Sequence, residues 1–294
     1  MRSFGAHTID NGGIHMAARR AASAGMRALQ LFTAIPKFYN DKVSIRPERA
    51  ERFLAAVDEV EIPAGNILVH AAYVLSVATP DPDKYARAAA GLRKELERSS
   101  VITAGAVCFH PGSAGTGPLP DALERVAAAM TEAIRAVPGQ TRLLIENTAG
   151  AGKTVGRTAQ EIAQILELIP GDLRERAGYG LDTCHLFASG YDIHTSAERL
   201  SAILDEFEAA TGEAPSFFHL NDSAGEFASN RDRHMLLGAG NIGAEPFRWL
   251  VADKRTKNVP LILETPQQNP DIGDDDESAD PYDVQMMELL KSFE

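Results

Sequence analysis

Cysteine, tryptophan and positive charge are all scarce in this 294-residue chain. Its two cysteines, Cys108 and Cys184, are too few for a disulfide framework and point to a reducing compartment. Against 41 Asp and Glu stand only 29 Lys and Arg, a formal net charge of −12. That balance excludes a broad basic nucleic-acid footprint, although not a local basic or metallic site. Long apolar runs are missing too. The stretch from Ser99 to Pro120 carries no Asp, Glu, Lys or Arg, but Gly, Pro and His interrupt it, so it does not read as a membrane span. The opening MRSFGAHTID has no apolar core, and no signal peptide is expected. What remains is a globular mixture, 44% hydrophobic and 24% charged, which excludes disorder, collagen and coiled coil as the main state. A soluble cytoplasmic protein is the expectation.

Short apolar runs alternate with segments of helical spacing. The runs are Ser3–His7, Ala28–Phe32, Ile67–His70, Ala106–His110, Leu143–Glu146, Gly180–Asp182, Ser216–His219 and Leu261–Glu264, eight candidate strands. Between them, helical spacing covers Pro47–Val60, Pro82–Arg98, Asp121–Val137, Thr158–Leu168 and Ala197–Ala210, and Trp249 falls in a further helical segment before the last run. Pro47 and Pro82 stand where a first helical turn accepts proline. Strand–helix alternation implies a parallel sheet, and eight repeats imply a closed (β/α)8 TIM barrel of the α/β class. No linker or break in composition appears, so residues 1–294 read as a single domain. The acidic stretch Asp271–Asp280 reads as a solvated loop.

The end of each run carries the chemistry. The first ends in His7, the third in His70, the fourth in His110 and the fifth in Glu146. The sixth carries Asp182, with His185 three residues on; the seventh ends in His219 and the eighth in Glu264. In a barrel the C-terminal ends of all strands converge on one face, so these groups meet in one cavity. A single histidine at a strand end is usually a satisfied structural group, but recurrence on seven strands of eight is not explained that way. With the loop pair Asp232 and His234, and leaving His7 aside, the donors number nine. Mixed imidazole and carboxylate donors suit zinc, with manganese or iron as alternatives. Nine are too many for one ion, which takes about four, and suit a cluster at the C-terminal face. Three divalent ions against four carboxylates would leave a local charge of +6 − 4 = +2, enough to attract a phosphate in spite of the net −12.

At these residues the chain resembles the endonuclease IV family of apurinic/apyrimidinic (AP) endonucleases. The resemblance runs in family order from Gly5-Ala6-His7 and Gly12-Gly13, through Leu31-Phe32-Thr33, FHPGS at Phe109–Ser113 and IENTAG at Ile145–Gly150. It continues through LDTCHLFASGYD at Leu181–Asp192, FHLNDS at Phe218–Ser223 and DRHMLLGAGNIG at Asp232–Gly243, to LILETP at Leu261–Pro266. It implies a zinc-dependent endonuclease of base-excision repair, acting on double-stranded DNA at abasic sites. Hydrolysis of the phosphodiester 5′ to the lesion would leave a 3′-hydroxyl and a 5′-deoxyribose phosphate. Three Zn2+ are implied, with Mn2+ an alternative at one site. His70, His110 and Glu146 would take the first ion. Glu146 again, with Asp182, His219 and Glu264, would take the second, which makes Glu146 the bridging, catalytic carboxylate. His185, Asp232 and His234 would take the third. By position Lys37, Tyr73 and Val74 look like the residues that probe the duplex, and His7 would orient a ligand from behind or pack at the barrel mouth.

The chain departs from the family pattern in three loops. Val74-Leu75-Ser76 follows Tyr73 where the family often has Leu-Ile-Asn, and Ser223-Ala224 follows Asn221-Asp222 where a lysine is usual. Ala34–Tyr39 is more apolar than the pattern leads one to expect. These bear on duplex affinity and lesion range more than on hydrolysis. Gly150–Thr154 looks like the end of a phosphate-binding loop, but Asn147 stands where its first glycine belongs, so it reads as a barrel loop. Cys184, taken as strand residue, points away from the neighbours of Asp182, and both cysteines read as buried inert thiols. Two rival functions remain: a metal-dependent sugar isomerase or epimerase on the same barrel, which needs fewer ligands, and a non-catalytic lesion-binding protein that keeps structural metal. A monomer is expected.

Overall fold

Alternation of apolar strands with amphipathic helices closes the sheet on itself. The computed structural model describes residues 2–34 and 45–294. In chain order it runs β1 (Ser3–His7), α1 (Ile14–Ser23), β2 (Ala28–Leu31), α2 (Pro47–Glu59), β3 (Ile67–His70), α3 (Pro82–Val101), β4 (Ala106–Phe109), α4 (Leu119–Ala136), β5 (Arg142–Glu146) and α5 (Ala159–Glu167). It continues with β6 (Ala177–Asp182), α6 (Thr183–Ser189), α7 (Ala197–Thr211), β7 (Phe218–Leu220), β8 (Asp222–Ser223), β9 (His234–Met235), α8 (Glu245–Ala252), β10 (Pro260–Leu263) and α9 (Pro281–Lys291). All strands but β8 and β9 form one parallel barrel in the order β1-β10-β7-β6-β5-β4-β3-β2. Closure is at β1, where Gly5 pairs with Ala28 of β2 and with Ile262 of β10. The expected barrel is therefore the architecture found. The short β8 and β9 pair antiparallel as a ribbon above it.

Strand periodicity sorts the core into two layers. Leu29 and Leu31 of β2, Val69 of β3 and Leu143 and Ile145 of β5 belong to the large cluster between barrel and helices. Ala28, Leu68, Ala106, Cys108, Leu144, Phe217 and Ile262 form a separate small cluster inside the barrel. Phe217 fills much of that space: a Cβ on Gly180 would lie 2.1 Å from its ring, so β6 needs glycine there. The next inward positions, one step nearer the C-terminal face, are His7, Gln30, His70, His110, Glu146, Asp182, His219 and Glu264.

Helix starts follow ordinary capping chemistry. The Asp81 carboxylate accepts from the backbone N–H groups of Asp83 and Lys84, and Pro82 fills the first turn of α3. Thr158 and Ser196 cap α5 and α7 in the same way. One correction to the sequence reading arises here. The strand carrying LDTCH ends at Asp182, whose Oδ1 accepts from His185 N at 2.7 Å and caps α6, so Cys184 is a helix residue and strand alternation says nothing about it. The acidic stretch 271–280 is the largely exposed loop expected, tied down at two points. Buried Arg20 donates to the carbonyls of Gly273 and Asp276, and Asp280 caps α9. Among the described residues no helix is long and apolar enough to cross a membrane.

Candidate metal centre

The nine donors come together at the mouth of the barrel in three groups, and within each group one ligand atom per residue lies within 4.8 Å of the others. The first is His70, His110 and Glu146; the second Glu146, Asp182, His219 and Glu264; the third His185, Asp232 and His234. Glu146 divides its carboxylate between the first two. Its Oε2 lies 3.1 Å from His70 Nε2 and 3.0 Å from His110 Nε2, while Oε1 lies 2.9 Å from His219 Nδ1. In the third group the Asp232 oxygens lie 3.2 Å from His185 Nε2 and 3.0 Å from His234 Nε2. Glu146, Asp182 and His219 are fully buried, whereas Asp232 is 47% exposed, so the site deepens from the third group to the second.

Two nitrogens test whether cations fit. His110 Nε2 and His234 Nε2 each sit 3.0 Å from a carboxylate oxygen, yet neither makes a hydrogen bond. Buried polar atoms are rarely left in that state. Nitrogen lone pairs and anionic oxygens sharing a small space without hydrogen-bond angles is the arrangement a divalent cation completes, and mixed imidazole and carboxylate donors accept zinc, manganese or iron. The other ring nitrogens are already engaged. His70 Nδ1 lies 2.7 Å from Ala71 O, His185 Nδ1 2.8 Å from Asn147 O and His234 Nδ1 3.2 Å from Glu264 O. A donor N–H toward each carbonyl leaves Nε2 as the free lone pair.

The field of the site is strong. Burial alone would lower His70 and His234, but the nearby carboxylates, Glu146 for the first and Asp232 for the second, carry both up to about 9. Burial alone would raise Glu146, yet the imidazoles of His219 and His110 hold it well below the usual carboxylate range. Protons and divalent cations thus compete for the same atoms. His7 behaves differently. Burial, reinforced by His70 and His219 and opposed by Glu264, lowers it to about 4, so it stays neutral and accepts at Nδ1 from Gln30 Nε2 at 3.0 Å. It packs its ring on Phe32 and belongs to none of the donor groups.

A cleft of about 350 Å3 opens over the donors, lined by His70, Tyr73, His110, His185, Asp232, His234 and Glu264. A second of about 480 Å3 adjoins it past His7, Phe32 and Pro266. Tyr73, 57% exposed, lines both. Val74 is half-buried against the core, so in this loop Tyr73 is the side chain presented to solvent. Lys37 lies outside the described residues. Ser76 does not face the cleft opening as an unpaired group: its Oγ accepts from Ser113 N at 3.1 Å and ties two loops together. The loop at Gly150–Thr154 also packs against its neighbour, with Ala114 N donating to Lys153 O at 2.9 Å, as expected for a barrel loop.

Four buried polar residues around the donors were not singled out by sequence: Gln30, Asn147, Asn221 and Asp222. Asn221 Nδ2 donates to Asp182 Oδ2 at 2.6 Å, and Asn147 Oδ1 accepts from Asp182 N. Asp222 accepts from the N–H groups of Gly238, Gly240 and Ile242 and pins the loop that follows His234. The available signal was a polar side chain inside an otherwise apolar run, as at Gln30 in ALQLF.

Residues 18–289 match the family model described as the xylose isomerase-like TIM barrel. The chain is 37% identical over 270 residues to a probable endonuclease 4 of Halorhodospira halophila (strain DSM 244 / SL1), covering 90% of this chain and 89% of that protein. It is 36% identical, covering 91% and 92%, to a probable endonuclease 4 of Chloroflexus aurantiacus (strain ATCC 29366 / DSM 635 / J-10-fl). Among solved structures it resembles endonuclease IV from Thermus thermophilus with a TM-score of 0.81 and 29% identity, covering 100% of this chain and 98% of that one. A D-tagatose 3-epimerase-like protein, at 16% identity and TM-score 0.70 over 100% and 97% of the two chains, shares the fold. The chain belongs to the endonuclease IV family within the xylose isomerase-like TIM barrels.

Proposed function

We propose that this chain is a zinc-dependent AP endonuclease that hydrolyses the phosphodiester 5′ to an abasic site in double-stranded DNA. The products are a 3′-hydroxyl and a 5′-deoxyribose phosphate. It works as a monomer in the cytoplasm. His70, His110 and Glu146 would hold one ion, Glu146, Asp182, His219 and Glu264 a second, and His185, Asp232 and His234 a third, with manganese an alternative at one position. Bound there, divalent cations supply a lowered water pKa, a template for the phosphate and charge neutralisation in the transition state.

The observation that carries this reading is the division of Glu146, one oxygen toward His70 and His110 and the other toward His219. A carboxylate so placed couples two donor groups, which a protein needing one isolated metal has no use for. The chain's remaining residues bind and exclude. The buried floor around Glu146 and His219 keeps bulk water from the reacting phosphate. The exposed ring of Tyr73 stands where it can stack in the gap left by a missing base, and an abasic nucleotide costs less to unstack than a paired one. Lys37 and Val74 would support the same contact. An epimerase shares only the fold, and the third group, His185 with Asp232 and His234, has no part in proton transfer on a small sugar.

The test is a duplex with one tetrahydrofuran abasic analogue, which lacks the aldehyde needed for β-elimination. A nick 5′ to the analogue that leaves a 3′-hydroxyl is expected. An uncut strand with folded, zinc-loaded protein refutes the proposal and turns attention to sugar substrates.

A further inference from the structure

Gln30 sits on β2, the barrel strand that, with β1, contributes none of the nine donors, and it is fully buried. Its amide touches three groups of the site. Oε1 lies 2.7 Å from His219 Nε2, and Nε2 lies 2.5 Å from Glu264 Oε1 and 3.0 Å from His7 Nδ1. Only one amide orientation satisfies this set. An ionised carboxylate accepts and cannot donate, so the NH2 end must face Glu264, and the carbonyl end must face His219. The carbonyl in turn requires a proton on His219 Nε2. The lone pair of that ring is then on Nδ1, which points at Glu146 Oε1 at 2.9 Å and Glu264 Oε2 at 3.3 Å.

This differs from three of the other four donor histidines. His70, His185 and His234 direct Nδ1 to backbone carbonyls and Nε2 to the donor groups. Their tautomers are fixed by the main chain. At His219 a side chain from β2, separated from β7 by β1 and β10, does the same work, and in the opposite sense. From these contacts we propose that Gln30 is a positioning residue, which selects the Nδ1 lone pair of His219 and aligns Glu264 beside it, and so builds the donor group of Glu146, Asp182, His219 and Glu264. The inference rests on the metal reading of that group under Proposed function.

Two measurements test it. In zinc-loaded wild-type protein labelled with 15N-histidine, two-bond 1H–15N correlation spectra should show His219 protonated at Nε2 and bound through Nδ1, with His70, His185 and His234 in the opposite tautomer. The Gln30→Met variant keeps the side-chain length and removes the amide. Metal content after graded chelator challenge should show one ion released about 10- to 100-fold more readily than in the wild type, and the other two unchanged. His219 bound through Nε2, or a Gln30→Met protein as chelator-resistant as the wild type, overturns the inference while leaving the cluster standing. A wild-type protein that takes up no zinc overturns the cluster and this inference together. The wild-type spectrum decides the matter even if the variant fails to fold.

Discussion

Replacing Glu146 by glutamine should disable two donor groups at once. The side chain is fully buried, and both of its oxygens are in use: Oε2 faces His70 and His110, and Oε1 faces His219. Glutamine keeps the shape and loses the charge. Whichever way its amide turns, an NH2 replaces an anionic oxygen on one side, and a donor meets nitrogen atoms or a cation. On the first side that oxygen is one of three donors and on the second one of four, so a bound cation needs the carbonyl more on the first side. The variant should therefore turn its carbonyl to that side and lose the connection to His219. Bound zinc should fall by at least one ion per chain. Cleavage of the tetrahydrofuran duplex should fall by more than ~100-fold, the order expected when a bridging ligand is removed from a metal-assisted hydrolysis. The circular dichroism of the variant should match the wild type, because no atom is added to the core. The assay is single-turnover cleavage with enzyme in excess, paired with elemental analysis of the same sample. A Glu146→Gln protein with full metal content and a cleavage rate within a few-fold of the wild type would refute the division of its two oxygens.

Three further outcomes are expected. Tyr73→Ala should weaken binding to the lesion duplex by about 10- to 100-fold, the scale of one aromatic–base stack, while the rate from saturated complex changes little; a rate that falls as far as affinity would contradict this. Gly180→Ala puts a Cβ 2.1 Å from the Phe217 ring and should cost about 1–3 kcal/mol in urea unfolding, part of it recovered by Phe217→Leu; an unchanged midpoint would show that the barrel interior has slack. The third concerns Asp283, which burial, with Asp280 beside it, pushes up from 3.8 to about 7. A carboxyl with a raised folded pKa contributes fully below pH 3.8, and that contribution is lost as the pH rises through 7. Asp283→Asn should thus be nearly neutral at pH 4 and stabilising at pH 8, by at most about 4 kcal/mol. Equal denaturation midpoints for the two proteins at both pH values would mean that Asp283 is ionised without penalty.

The barrel and its donor set were legible in sequence because both obey short rules. A run of three apolar residues followed by His or Glu states the inward-facing position of its last residue, as at Ile67–His70 and Leu143–Glu146, since alternate strand residues share a face. Donor identity then fixes chemistry without geometry. What escaped is made of contacts between distant segments. The helix Pro281–Lys291 was hidden behind an acidic stretch, although Asp280 and Pro281 form an ordinary helix start, because its apolar face has meaning only against the barrel. Thr183–Ser189 was hidden because the DTCH spacing reads equally as chelation and as a cap, and the Asp182 carboxylate serves as the cap. Gln30, Asn147 and Asn221 show in the chain only as polar side chains in or beside apolar runs, a signal that names no role. Each is an uncharged amide within or at the end of a strand, and its partner is 35 or more residues away: Asp182 for Asn147 and for Asn221, and His219, 189 residues on, for Gln30. Ligand identity is therefore a property of the residue, whereas ligand orientation belongs to pairs of strands. An amide on a strand without a donor can decide which nitrogen of a histidine is free, and only closure of the barrel brings the two together.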